Sequence, residues 1–263
     1  MIALVGLILI VAVVIGSTVL DTKSVALDLK SRNLAPSIEH LFGTDWLGRD
    51  MFSRTVVGLA LSIQVGLIGA GCSVVIAVVM GLMAATFGKT VDRFISWLID
   101  LFLSVPHLVA LILIAFVAGG GMKGIVIGIA CTHWPSLARV IRAEALQLKE
   151  AEYIRISRKL GKSNFWIAVR HMFPHILPQI LIGLFLMFPH AILHEASITF
   201  LGLGLSPHQP AIGIILSESM RYLSMGMWWL ALFPGLGLLI VVRAFDRIGE
   251  QLRFLADPYR ARE

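Results

Sequence analysis

The chain has 263 residues, 57% of them hydrophobic and only 14% charged, which is more apolar surface than one soluble core can hide, so a water-soluble globule is excluded. The net charge of +6 comes from Lys and Arg placed between apolar runs rather than along one face, a pattern that sets membrane topology and argues against a nucleic-acid partner. Cys72 and Cys131 both fall inside apolar runs without metal-type spacing, which argues against a disulfide framework and reads as plain packing.

Residues 1–20 are apolar over about one bilayer crossing. Lacking a basic start and a small-residue cleavage site, they read as a retained anchor helix. Residues 21–55 are polar and mixed in charge and are expected to lie outside as an amphipathic segment. A second span is predicted over 56–87, where Ser62, Gly66 and Ala70 recur at helical spacing and permit close helix approach. The third, over 94–117, is broken by Pro106. The fourth, over 124–141, carries Cys131, His133 and Trp134, and the fifth, over 180–201, has Pro189 in its middle. A sixth begins at Trp228. The expected fold is an all-α polytopic membrane protein of about six transmembrane helices, with a core over 56–250 and a tail over 251–263.

Cytoplasmic loops retain Lys and Arg. With the amino terminus inside, the connector at Lys89 and Arg93, the stretch 139–170 and the tail from Arg243 are all cytoplasmic and hold about two thirds of the basic residues. The segments 21–53, 119–123 and 202–227 then face outward, and both termini are cytoplasmic.

One polar interruption, residues 151–178, is too long and too charged for an ordinary turn. Tyr153 to Leu160 suit a short basic amphipathic helix, Gly161 suits a left-handed stop, and Ser163 suits the cap of a second helix through Trp166. Pro174 and Pro178 are expected to close the segment before the next span. Such a helix-turn-helix fits either a soluble partner that grips it or an anionic lipid surface.

Arg155, Ile156 and Ser157, three residues, Gly161, nine residues, then His171 to Pro174 follow the spacing of the EAA loop. On that spacing the chain resembles the permease subunits of bacterial ABC importers. Arg155 stands where the pattern has glutamate, and Ile156 and Ser157 where it has alanines. Two further stretches, FGTDWLGRDMFSR over 42–54 and EASITFLGLGL over 195–205, resemble the dipeptide, oligopeptide and nickel branch, as does the ending at Asp257 and Pro258. In the first stretch Asp45, Arg49, Asp50 and Arg54 alternate in sign at helical spacing and suit pairing at the membrane surface. In the second, the glycines permit a tight bend, after which the apolar residues up to Leu216 could dip partly into the bilayer.

The resemblance implies a type I ABC importer permease fold that forms half of a translocation pathway. It implies a second homologous permease, two cytoplasmic ABC ATPase subunits and an extracytoplasmic substrate-binding protein, with membrane lipid around them and a location in the bacterial inner membrane. The ATPase contact would fall on Tyr153, Arg155, Ile156, Ser157, Leu160 and Gly161. The chain has no G-x-x-x-x-G-K-[ST] loop, so ATP and Mg would be used by the partners, and no cofactor or enzymatic activity is expected on this chain.

Polar side chains at membrane depth are costly and usually face a pathway or a partner. His190 and His194 are four apart and share a helix face, with Glu195 adjacent, and neutral imidazoles so spaced suit Ni(II) or Zn(II). Histidine at both positions resembles the nickel members of the branch rather than the peptide members, as does His133 beside Trp134, so the likeness is closest to the nickel permeases; His107 after Pro106 could reach the same cavity. The substrate pathway is therefore expected at His133, His190, His194 and Glu195, with His190 and His194 as metal ligands. The cargo that follows is nickel or a transition-metal chelate, with short peptides as the alternative. A membrane histidine also serves as a helix-to-helix hydrogen bonder. A zinc hydrolase needs its glutamate between two ligands, whereas here the order is H-x-x-x-H-E. A passive channel would leave the long polar loop without a purpose.

Overall fold

The computed structural model describes residues 2–256, so the Asp257 and Pro258 ending lies outside the described residues. The regular elements are helical: α1 (Ile2–Val25), α2 (Met51–Thr86), α3 (Lys89–Ser104), α4 (His107–Val117), α5 (Gly121–Leu148), α6 (Glu152–Lys159), α7 (Asn164–Ile167), α8 (Phe173–Phe200), α9 (Ile212–Leu223) and α10 (Trp229–Ala256). Among the described residues, five helices are long and apolar enough to cross a membrane, and a sixth crossing is made if α3 and α4 count as one broken span.

The centre of the bundle is the pair α2 and α5, with α8 packed against both. Gly69 of α2 meets Ile129 and Gly81 meets Ile141, the same offset each time, so the two helices run parallel. Small residues make this approach possible. A Cβ on Gly81 would lie 2.7 Å from Ile141 Cγ2 and 2.9 Å from the Ala138 carbonyl oxygen, and that backbone atom cannot step aside. Gly81→Ala is expected to destabilise the bundle by about 1–3 kcal/mol through overpacking. Thermal unfolding in detergent measures it, and an unchanged melting temperature would rule out so tight a contact. Ser62, Gly66 and Ala70 are likewise in packed positions, Gly66 against Ile192 of α8.

α1 lies at the edge, against α2 and α10, with Leu4, Val5, Ile8, Ile15 and Val19 exposed. A row of exposed aliphatic side chains on an apolar helix of crossing length suits a surface turned to lipid. Cys72 is exposed on the outside of the bundle, not packed within it as its apolar run suggests, and Cys131 is half-buried.

Three boundaries depart from the sequence expectation or sharpen it, each for a local reason. α2 begins at Met51 because the Asp50 side chain accepts from Ser53 N and caps the helix there, one turn before the predicted start. The predicted third span is two helices whose axes differ by 100°. Val105 is extended before Pro106, as the proline ring demands of its predecessor, and α4 restarts at His107.

The second helix of the polar loop does not stop at Pro174 or Pro178. α7 runs through a π-helical turn, Ala168–Met172, directly into α8. The Phe173 N–H reaches back five residues to the Ala168 carbonyl, which widens the turn where Pro174 has no N–H to give. The residues from Asn164 to Phe200 therefore form one long rod. At its far end Gly202, with φ +79°, turns the chain back so that α9 packs on α8 and α10. Twelve residues are too few to cross a bilayer.

Candidate functional site

A cavity of about 440 Å³ opens between α4, α5 and α8 and is lined by His107, Thr132, His133, Ser136, His190 and His194 among apolar neighbours. Half of the chain's 8 histidines therefore face one space. Three elements bring them there. The break at Pro106 aims His107 inward from the first turn of α4, while α5 supplies His133 from its buried stripe and α8 supplies the half-buried His194.

His133 is the best fixed of the set, only 8% exposed. Its Nδ1 lies 3.2 Å from the Ile129 carbonyl oxygen and 3.1 Å from Thr132 Oγ1, whose own proton goes to the Gly128 carbonyl at 2.8 Å. Carbonyl oxygen only accepts, so Nδ1 carries the ring proton and Nε2 holds the lone pair. That lone pair accepts from His194 Nδ1 at 3.1 Å. His107 completes the group with its ring centroid 4.4 Å from that of His133 and 4.6 Å from that of His194, and its Nε2 is buried without a partner. One nitrogen from each of the three rings falls within 4.8 Å of the other two.

The structure thus draws together a different set from the pair suggested by helical spacing. His190 lines the cavity but is exposed and stands outside the trio, whose third member is His107. Glu195 is not in the cavity at all. It is fully buried between α8 and α2, with Oε1 accepting from Thr199 Oγ1 at 2.9 Å, while Oε2 and the Ser62 hydroxyl on α2 are both without partners.

The second expected site is α6. Tyr153, Arg155, Ile156 and Leu160 are exposed, whereas Ile154 is fully buried and seats the helix on the bundle. Gly161 takes φ +79° and closes a Schellman turn in which Lys162 N–H donates to the Ser157 carbonyl at 3.1 Å. Ser163 Oγ then accepts from Trp166 N at 3.2 Å and caps α7, as the sequence implies.

Ser157 does not face outward with its neighbours. Its hydroxyl donates to the Tyr153 carbonyl and sits 3.0 Å from His171 Nε2. The rings of Tyr153 and Trp166 meet His171 edge-on at 5.5 and 5.0 Å, so α6 is strapped to the root of α8. Arg155 pairs with Glu150, and this hydrogen bond holds the exposed Glu150 carboxyl below its ordinary range.

At the opposite end, Asp45 sits in a loop rather than on the helix its spacing suggests. It gathers Arg49 Nε at 2.6 Å and Arg54 Nη1 at 2.7 Å. Asp50 takes no part, since it caps α2 and lies 3.1 Å from His40 Nδ1. Two members of this group escape sequence reasoning. Glu218 of α9 binds Arg54 Nη2 at 3.0 Å, and Trp46 stacks on Tyr222 with centroids 5.0 Å apart. The one signal for Glu218 is its place as a lone carboxylate after the apolar run 211–216.

Residues 77–253 match the family described as the binding-protein-dependent transport system inner membrane component. A dipeptide transport system permease protein, DppC, of Alkalihalophilus pseudofirmus is 35% identical over 260 residues, covering 97% of this chain and 85% of that protein. A protein of Brucella suis, named for peptide transport system permease function, is 33% identical over 96% of this chain and 84% of its own length. Among solved structures, an inward-facing form of the MetNI methionine ABC transporter superposes with a TM-score of 0.58 at 17% identity, covering 77% of this chain and 97% of that one, and so shares the fold. With a family match over two thirds of its length and relatives alike over 96–97% of it, this chain belongs to the inner-membrane components of binding-protein-dependent transport systems, the permease subunits of ABC importers.

Proposed function

We propose that this chain forms half of the translocation pathway of an ATP-driven peptide importer. The observation that carries the cargo is the likeness, over 96–97% of the chain, to permeases named for peptide and dipeptide transport. Nickel, the cargo suggested by the histidines and their resemblance to the nickel members of the branch, has no support from those names. The other half of the pathway would be a second permease, with two ABC ATPase subunits below and a substrate-binding protein outside.

The geometry supports a route for coupling. The exposed apolar side chains of α6 offer a grip to an ATPase, and the basic residues concentrated at that end favour its placement in the cytoplasm. A push on α6 passes through Ser157, Tyr153 and Trp166 to His171. From there α8 is continuous to His190 and His194, about 28 and 34 Å away respectively at 1.5 Å per residue, so the cavity wall moves with the lever. Tyr153, Arg155, Ile156 and Leu160 are the contact, Ser157 the strap and Gly161 the turn that frames it. ATP and Mg act on the partner subunits.

Cells lacking this gene should lose uptake of a radiolabelled dipeptide and regain it when the gene is returned. Unchanged dipeptide uptake in the deletion strain would refute the cargo. A second reading, a metal-bearing cargo, is favoured by one observation, the convergence of three imidazoles in the cavity.

A further inference from the structure

We infer that His107, His133 and His194 form a three-nitrogen site for a divalent transition metal within the cavity. The inference deepens the transport reading and rests on it only for the claim that the cavity is the path of the cargo. The chemistry is that of imidazole ligands, which suit Ni(II), Cu(II) and Zn(II) and leave Mg(II) and Ca(II) to oxygen-rich sites.

Three features of the trio go beyond crowding. First, His133 is oriented as a ligand before any metal arrives. Its Nδ1–H is committed to the Ile129 carbonyl, so the Nε2 lone pair faces the other two rings. An outer hydrogen bond of this kind fixes the tautomer and raises the basicity of metal-binding histidines. Second, one pair already has the spacing of a coordination sphere, with the third ring's nitrogen within 4.8 Å of both. Nitrogens bound at about 2.0–2.1 Å to a tetrahedral metal sit about 3.3 Å apart, and His133 Nε2 and His194 Nδ1 are 3.1 Å apart. Third, His107 Nε2 is buried without any partner, a cost that a metal or a chelate would relieve.

Binding needs one rearrangement. His194 now donates Nδ1–H to His133, so it must move that proton to its own Nε2, leaving Nδ1 as the donor atom. The ring stays neutral and no proton is released. Three protein nitrogens leave at least one position open in a tetrahedral site and three in an octahedral one. A metal held by a peptide or another small chelator could therefore keep ligands of its own while the histidines hold its open side. A bare cation would fill the same site with water.

The test is equilibrium dialysis of Co(II) and Ni(II) against the full chain, purified in detergent with the subunits that accompany it, on a tag free of histidine. One metal per chain is expected, with visible Co(II) bands of imidazole ligation. His133→Gln and His194→Gln should each weaken binding at least tenfold, and His190→Gln less than twofold. If a variant at His133 or His194 fails to purify with its partners, His107→Gln, at the start of α4, takes its place. No bound metal in the native chain, or equal binding in the variants of the trio, overturns the site.

Doubly labelled Ni(II) on glycyl-histidine then separates the two sources. Peptide label retained with the metal identifies a chelate, and metal alone identifies the bare cation. Dipeptide uptake by the same cells is scored separately, so failure of the peptide reading leaves the binding result standing.

Discussion

Changing Ile156 and Leu160 together to aspartate should abolish uptake, by at least a hundredfold, while the chain still reaches the membrane in normal amount. Ile156 lies on α6 and Leu160 is its C-terminal cap, and both side chains are largely exposed, at 56% and 73%, so the fold loses nothing when they change. A partner that covers them loses two apolar anchors, each contributing about 1.5–3 kcal/mol when fully buried, and must bury two carboxylates in their place. The sum exceeds the roughly 2.7 kcal/mol that a hundredfold loss requires. Pull-down of the ATPase should fail in parallel with uptake.

Ile154→Asp is the instructive contrast. That residue is fully buried, so its replacement unseats α6 and lowers the amount of folded protein as well. Gly161→Ala has open space for its Cβ but not the backbone for it, and should cost only about 1–2 kcal/mol at φ +79°. Normal transport by the Ile156 and Leu160 double variant would remove α6 from the mechanism.

The exposed face of α6 was visible in the sequence because its polar context made apolar residues conspicuous. The crossing helices were equally plain, since lipid demands long apolar runs and nothing else in the chain supplies them. What stayed hidden depends on direction rather than composition. Pro106 announces a break, but a 100° turn follows from how α3 and α4 pack on α5, and only that turn brings His107 to His133. Helical spacing correctly put His190 and His194 on one stripe, yet the stripe is wide enough that one ring enters the trio and the other does not. Pro174 looked like a stop because an α-helix cannot spare the N–H, and the π-helical turn that excuses it leaves no mark in the residues themselves. Glu195 shared a motif with the histidines, but the next residue along a helix points about 100° away, and here that direction is the α2 interface.

The far-end ion cluster carries the other large effect. Arg54→Leu should destabilise the permease by about 3–5 kcal/mol, the usual result of removing one partner from a buried charge pair. Arg54 is 2% exposed and Asp45 fully buried, so the carboxylate would stay at its place facing Arg49 and two backbone N–H groups, with no water to replace the lost guanidinium. The loss is also architectural. Arg54 is the link between α2 and Glu218, and therefore between the central helix and α9.

Glu218→Gln tests the two contributions separately. The Glu218 side chain is 26% exposed, so solvent compensates for its removal, and the cost should stay near 1 kcal/mol. In the double variant the effects should fall short of their sum, because once Arg54 is gone Glu218 keeps only the longer 3.5 Å approach to Arg49. Heating the detergent-solubilised protein and measuring what stays monodisperse reads the difference, with Arg54→Leu expected to lower the midpoint by on the order of 10 °C. Equal shifts for the two single variants would mean that the buried pair with Asp45 contributes nothing beyond an exposed one, and that the GTDWLGRDMFSR stretch holds this end by its backbone and aromatic contacts alone.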